Sequence, residues 1–150
     1  MANAKVGGRA AYGIGAFVEK LDSNRALTVG DSGKVFMLAN TGAITVTFPD
    51  ISAMSTQEKE AAIGWNATFI VRSTPGGAAT IGCSSGDGNL LFGSHVGADD
   101  INGVGLNSVA DDLIFGTAAV PGDRARVIYD GIYYYAWACL LYTSPSPRDR

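Results

Sequence analysis

The chain has 150 residues, of which 14 are acidic and 11 basic, for a formal net charge of −3, and 47% are hydrophobic. That is one domain's length with enough apolar residues for a core, which excludes an ordinary disordered acidic tail. The missing basic surplus argues against nucleic acid as the main partner, and no apolar run approaches the roughly 18 residues of a membrane-crossing helix.

Residues 1–20 include Lys5, Arg9 and Lys20 against a single acid, Glu19. They show neither a sustained period of two nor a helical stripe, and no compact apolar stretch of the kind a signal peptide carries. Residues 1–24 are therefore predicted to form a flexible, basic N-terminal arm. Lys5, Arg9 and Lys20 are its candidate contacts to an acidic partner surface.

From Arg25 onward, short β segments alternate with turn signals. Ala26–Val29 precedes the turn cluster Gly30-Asp31-Ser32-Gly33, and Lys34–Leu38 forms the next segment. Ala43–Phe48 places Ile44, Val46 and Phe48 on one face and Thr45 and Thr47 on the other, the pattern of a half-buried strand that Pro49 stops. One helix is expected near 55–63, because Ser55-Thr56-Gln57-Glu58 has capping-box spacing and Gly64 is a plausible stop. Trp65–Thr74, Ala78–Cys83 and Leu90–Phe92 resume the strands. Residues 93–110 read as a long surface loop. Asp112–Thr117, Arg124–Tyr129 and Ile132–Trp137 complete the set, the last two joined at Asp130-Gly131, a strong hairpin dipeptide. The pattern predicts a mainly all-β domain over residues 25–138, a β-sandwich or jelly-roll-like fold with one short helix.

Chemistry-bearing constellations are sparse. His95 is the single histidine and no Gly-x-Ser-x-Gly elbow accompanies it, so no catalytic residues are assigned. One histidine and two cysteines, Cys83 and Cys139, fall short of a zinc set, and the pairs Asp99-Asp100 and Asp111-Asp112 read as solvated loop residues. No metal and no cofactor is expected. The run Tyr133-Tyr134-Tyr135 with Trp137 is the most unusual local feature. On a strand, Tyr133, Tyr135 and Trp137 share one face and Tyr134 lies opposite. Tyr133, Tyr135 and Trp137 are thus a candidate core or subunit interface, or a platform for a glycan, whose apolar ring faces suit flat aromatic ones.

Leu27-Thr28-Val29-Gly30-Asp31-Ser32-Gly33-Lys34-Val35-Phe36-Met37-Leu38 resembles the opening of small tailed-phage virion proteins of the head-decoration or tail-fibre-like kind. The likeness continues through Ile44–Pro49 and Gly64–Val71 and returns at Gly122-Asp123, Val127 and Asp130–Tyr135, so it spans residues 25–137. The insertion Ser52–Ile63 departs from it. The resemblance implies a structural, non-catalytic virion component located on the particle. Its implied partners are the major capsid protein or tail proteins, and its implied assembly a homotrimer.

The last stretch, Cys139 to Asp149, reads CLLYTSPSPRD and is similar to the translation of a transposase-type sequencing adapter. That resemblance implies a non-native tail over 139–150, with Trp137 as the last residue coded wholly by the native gene. Without Arg148, Asp149 and Arg150 the chain keeps nine basic and thirteen acidic residues, and without Cys139 it keeps only Cys83.

Overall fold

The computed structural model describes residues 17–84, 91–96, 101–102, 109–110 and 112–139, with the three short middle stretches described as backbone only. Its strands are β1 (Val18–Leu21), β2 (Arg25–Ala26), β3 (Lys34–Leu38), β4 (Ile44–Thr47), β5 (Asn66–Val71) and β6 (Ala79–Gly82). They continue as β7 (Leu91–Val96), β8 (Ile101–Asn102), β9 (Val109–Ala110), β10 (Asp112–Phe115), β11 (Arg124–Tyr129) and β12 (Tyr134–Cys139). A single helix among the described residues, α1, runs Thr56–Ala61. The fold is all-β with one short helix, as the sequence pattern predicts.

The strands form a seven-stranded sheet in the order β1-β3-β5-β11-β12-β7-β9 and a five-stranded sheet in the order β2-β4-β6-β10-β8. From β1 to β11 each successive strand enters the opposite sheet, so hydrogen-bonded neighbours are often two strands apart in sequence. β1, β3 and β5 pair in parallel, as do β2, β4 and β6, whereas β7 with β9 and β8 with β10 pair antiparallel. Parallel pairs need a crossover between them. Here each crossover contains a strand of the facing sheet, joined by α1 in the β3–β5 and β4–β6 connections.

The inward faces of both sheets build one core. Phe36, Phe69 and Val127 come from the larger sheet and Val46, Ile81 and Leu113 from the smaller, all fully buried. β4 and β5 bury the residues that their alternation predicts: Ile44 and Val46 in one, Ala67, Phe69 and Val71 in the other. Helix α1 starts with the expected capping box. The Ser55 hydroxyl accepts from the Glu58 N–H at 3.3 Å, and the Glu58 carboxylate accepts from the Ser55 N–H at 2.7 Å.

Four expectations shift. The strand expected over Ala26–Val29 shortens to β2, because Val29–Asp31 turns into a single 3-10 helical turn. The loop expected over 93–110 contains most of β7 together with β8 and β9. The hairpin loop is Gly131-Ile132 rather than Asp130-Gly131. Asp130 pairs with Tyr133, donating its N–H to that carbonyl at 3.1 Å, and Gly131 takes φ +103°. Finally, the arm ends earlier than residue 24: β1 pairs along its whole length with β3 and buries Leu21. At the other end β12 extends one residue past 138, with Cys139 opposite Arg124.

One close approach shows how the turns are tied together. The Asn40 side-chain amide donates to the carbonyls of Gly42 and Gly77, each at 2.8 Å, drawing loop 40–43 against loop 75–77. A Cβ on Gly76 would stand 2.1 Å from the Thr41 carbonyl oxygen, and one on Gly77 2.3 Å from the Ala43 nitrogen. Gly77→Ala is expected to destabilise the fold by about 1–3 kcal/mol through overpacking against backbone. Thermal unfolding checks this: Tm should fall by several degrees for a chain of this size, and an unchanged Tm would contradict the packing.

Candidate functional site

The outward face of the larger sheet gathers the residues that could meet a partner. β12 alternates strictly: Tyr134, Ala136 and Ala138 are buried, while Tyr135 and Trp137 are 39% and 46% exposed. Within the chain, then, Tyr135 and Trp137 are a surface platform and not core. Tyr133 stands half-buried at the hairpin.

The hairpin register sets what lies beside this platform. Arg126 is directly opposite Trp137, and Arg124 opposite Cys139. On their other side Arg126 faces Thr68 and Arg124 faces Ile70. The Arg126 guanidinium sits over the Trp137 ring at 5.8 Å from its centroid, in cation–π range. Thr68, Arg124, Arg126, Trp137 and Cys139 line a shallow cavity at this point. Arg124 and Arg126 were not singled out by the sequence reading, yet a signal existed. Once the hairpin turn is placed, Arg124-Ala-Arg126 runs antiparallel to Trp137-Ala-Cys139, with the arginines and Trp137 on one face.

Lys20 shares this face. It lies in β1, where Glu19 and Leu21 turn inward and Val18 and Lys20 outward, and its ammonium pairs with Asp22 at 2.9 Å. Two groups of candidates that were read separately, Lys20 and the pair Tyr135 and Trp137, thus stand on the same sheet surface. Lys5 and Arg9 lie outside the described residues, as do Asp99, Asp100, Asp111 and the His95 side chain. Among the described residues the outward positions of β1, β3, β5, β11 and β12 hold three cations and no carboxylate: Lys20, Arg124 and Arg126.

Asp130 orders the end of the platform. Its carboxylate accepts from the N–H groups of Tyr133 at 2.7 Å and Ile132 at 2.8 Å. The Tyr133 N–H bond foremost holds this carboxyl below the usual aspartate range. Burial, and then the neighbouring Asp130 carboxylate, raise the Tyr135 phenol above its ordinary value.

A second cluster anchors the N-terminal edge of the same sheet. Asp31, nearly buried, accepts from Lys34 at 2.7 Å, from Arg25 at 3.4 Å and from the Thr28 N–H at 2.9 Å. Glu19 joins both cations from β1, bonding Arg25 and, at 3.1 Å, Lys34. Two acids and two bases thereby fasten β1 to the turn before β3 and hold Lys20 in place. The Gly30-Asp31-Ser32-Gly33-Lys34 stretch is in this sense a folding device.

No family model matches the chain, and neither a curated protein nor a solved structure matches it.

Burial pushes the Asp31 carboxyl up, but the Lys34 ammonium, the Thr28 N–H and Arg25 outweigh it, so its titration is lowered. A carboxyl lowered on folding adds stability that is fully present above the unfolded aspartate range of about 4. That stability is lost as pH falls through the folded value. The Asp31 carboxylate and then the Glu19 side chain, against the opposing effect of burial, raise Lys34, whose contribution is lost only as pH rises past the usual lysine range. Urea midpoints measured from pH 7 down to pH 2 should therefore fall less steeply in Asp31→Asn than in the unaltered chain. Parallel curves would remove Asp31 from the acid response.

Proposed function

We propose that the chain is a structural protein of a tailed-phage virion, most specifically a capsid decoration protein. In this reading its basic N-terminal segment docks on an acidic surface of the major capsid protein. The chain works as a homotrimer and carries out no catalysis. The likeness of residues 25–137 to small virion proteins supports the reading. So does one observation about how the N-terminal segment meets the domain.

Residues 1–16 contain Lys5 and Arg9 and no acid, whereas residues 17–150 contain nine basic and fourteen acidic residues. This segment joins the domain at β1, the edge strand of the larger sheet. Leu21 in the core and the Glu19 ion pairs root β1 there. A cationic segment rooted on a rigid β edge can reach a neighbouring surface without moving the domain. Attraction of this kind is screened by salt, because the screening length shrinks from roughly 10 Å to 3 Å between 0.1 M and 1 M ionic strength.

The test is co-expression of the chain with the major capsid protein encoded on the same DNA, followed by gradient sedimentation of the particles. The chain should travel with assembled capsids and leave them as salt is raised. Deleting residues 2–16 should release it with an unchanged circular dichroism spectrum. Bare capsids, or equal binding by the shortened chain, would overturn the proposal, and co-sedimentation with tails alone would move it to the tail. Sedimentation equilibrium of the free chain should give three times the 15.5 kDa chain mass, and a monomer mass at all concentrations would remove the trimer.

A further inference from the structure

We infer that the cavity between Arg124, Arg126 and Trp137 is a binding site for an acidic saccharide, a sugar ring carrying a carboxylate. This goes beyond the virion assignment and does not rest on it.

Among the described residues, Lys20 is paired with Asp22, and Arg25 and Lys34 are paired with Glu19 and Asp31. Among these residues Arg124 and Arg126 have no such carboxylate, and nor do Lys59 and Arg72, but Arg124 and Arg126 stand together on β11 beside the exposed Trp137. They occupy alternate positions of β11, so both guanidinium groups project from one face with a strand repeat between them. The indole of Trp137 lies against Arg126 and steadies it. A guanidinium held beside a ring loses less freedom when it binds, and its fork of N–H groups matches a carboxylate in two-point geometry.

The remaining walls point to the rest of the ligand. The cavity is shallow and opens to solvent, with about 180 Å³ of space, so it takes a small ligand or one unit of a longer one. The indole of Trp137, 46% exposed, and the Thr68 methyl offer apolar surface that suits the C–H face of a sugar. The Thr68 hydroxyl and the outer guanidinium N–H groups can bond ring hydroxyls. A neutral sugar would leave the charge of both arginines unmatched, and a simple inorganic anion would leave the indole unused. A carboxylated sugar uses all of them.

Trp65 is buried and Trp137 exposed, so a ligand at this site reports through Trp137 fluorescence. Titration of the full chain with galacturonic acid oligomers should give a saturable change that galactose oligomers do not. Arg124→Gln and Arg126→Gln should each weaken binding roughly tenfold or more, the scale of a lost charge-assisted hydrogen bond. Both side chains are exposed, so Tm and circular dichroism should stay unchanged. The inference is overturned by no response, by equal affinity for the neutral oligomers, or by unaltered affinity in both arginine variants. A saturable response to poly-L-glutamate with none to the saccharides would overturn it too, assigning the site to an acidic protein surface.

Discussion

Tyr134 is the residue on which the rest of the arrangement turns. Its hydroxyl donates to the Pro49 carbonyl at 2.8 Å, tying β12 of the larger sheet to the end of β4 in the smaller. Its ring meets Phe48 at 4.7 Å, Tyr129 at 4.9 Å and Trp65 edge-on at 5.8 Å. Aromatic pairs at these separations contribute about 0.5–1.5 kcal/mol each beyond burial. The Trp65 indole N–H, donating to the Thr28 carbonyl at 3.0 Å, extends the clamp to the segment before the 3-10 turn. Because side chains alternate along a strand, turning Tyr134 inward turns Tyr135 and Trp137 outward. The surface platform is a consequence of the core clamp. A slip of one residue in β12 would bury the platform and expose the clamp.

That dependence explains what was legible in the sequence and what was not. The alternations of β4 and β5 could be read because one face is apolar and the other polar, so period and facing are the same information. In Tyr133–Trp137 both faces are amphipathic or apolar, so periodicity shows two sets without saying which is inside. Volume decided it. The inward set reads Tyr134, Ala136, Ala138, a large ring at the sandwich end and then methyl groups where the sheets are filled by other side chains. Partner choice was equally hidden. Parallel pairing of β1, β3 and β5 leaves no mark on any single strand, since each crossover contains an ordinary strand of the opposite sheet. Within 93–110 the glycines and asparagines mask β8 and β9, two residues each, too short to show a period.

Lys20 shows how charge counting and topology can disagree. By composition it belongs with Lys5 and Arg9 in a basic segment. By structure it is an outward residue of a paired strand, placed there because Leu21 enters the core and Glu19 enters the ion cluster. A lysine on an exposed edge strand also discourages pairing with a foreign strand. Its position therefore has a physical explanation whether or not it touches a partner.

The two sets of cations do different work for a related reason. Arg25 and Lys34 share Asp31 and Glu19 in a partly buried cluster, where removing one member leaves the other three with an unbalanced charge. Arg124 and Arg126 project to solvent and have no carboxylate partner among the described residues; an exposed guanidinium of this kind has little effect on folding and stays available. The first set thus serves the fold, and the second contributes little to it. The β11–β12 register then does what neither strand does alone: it brings unpaired guanidinium groups and an exposed indole onto one rigid patch. A recognition surface needs its groups held in position by packed elements rather than by loops. Here the same hairpin that seats Tyr134 in the core supplies that support.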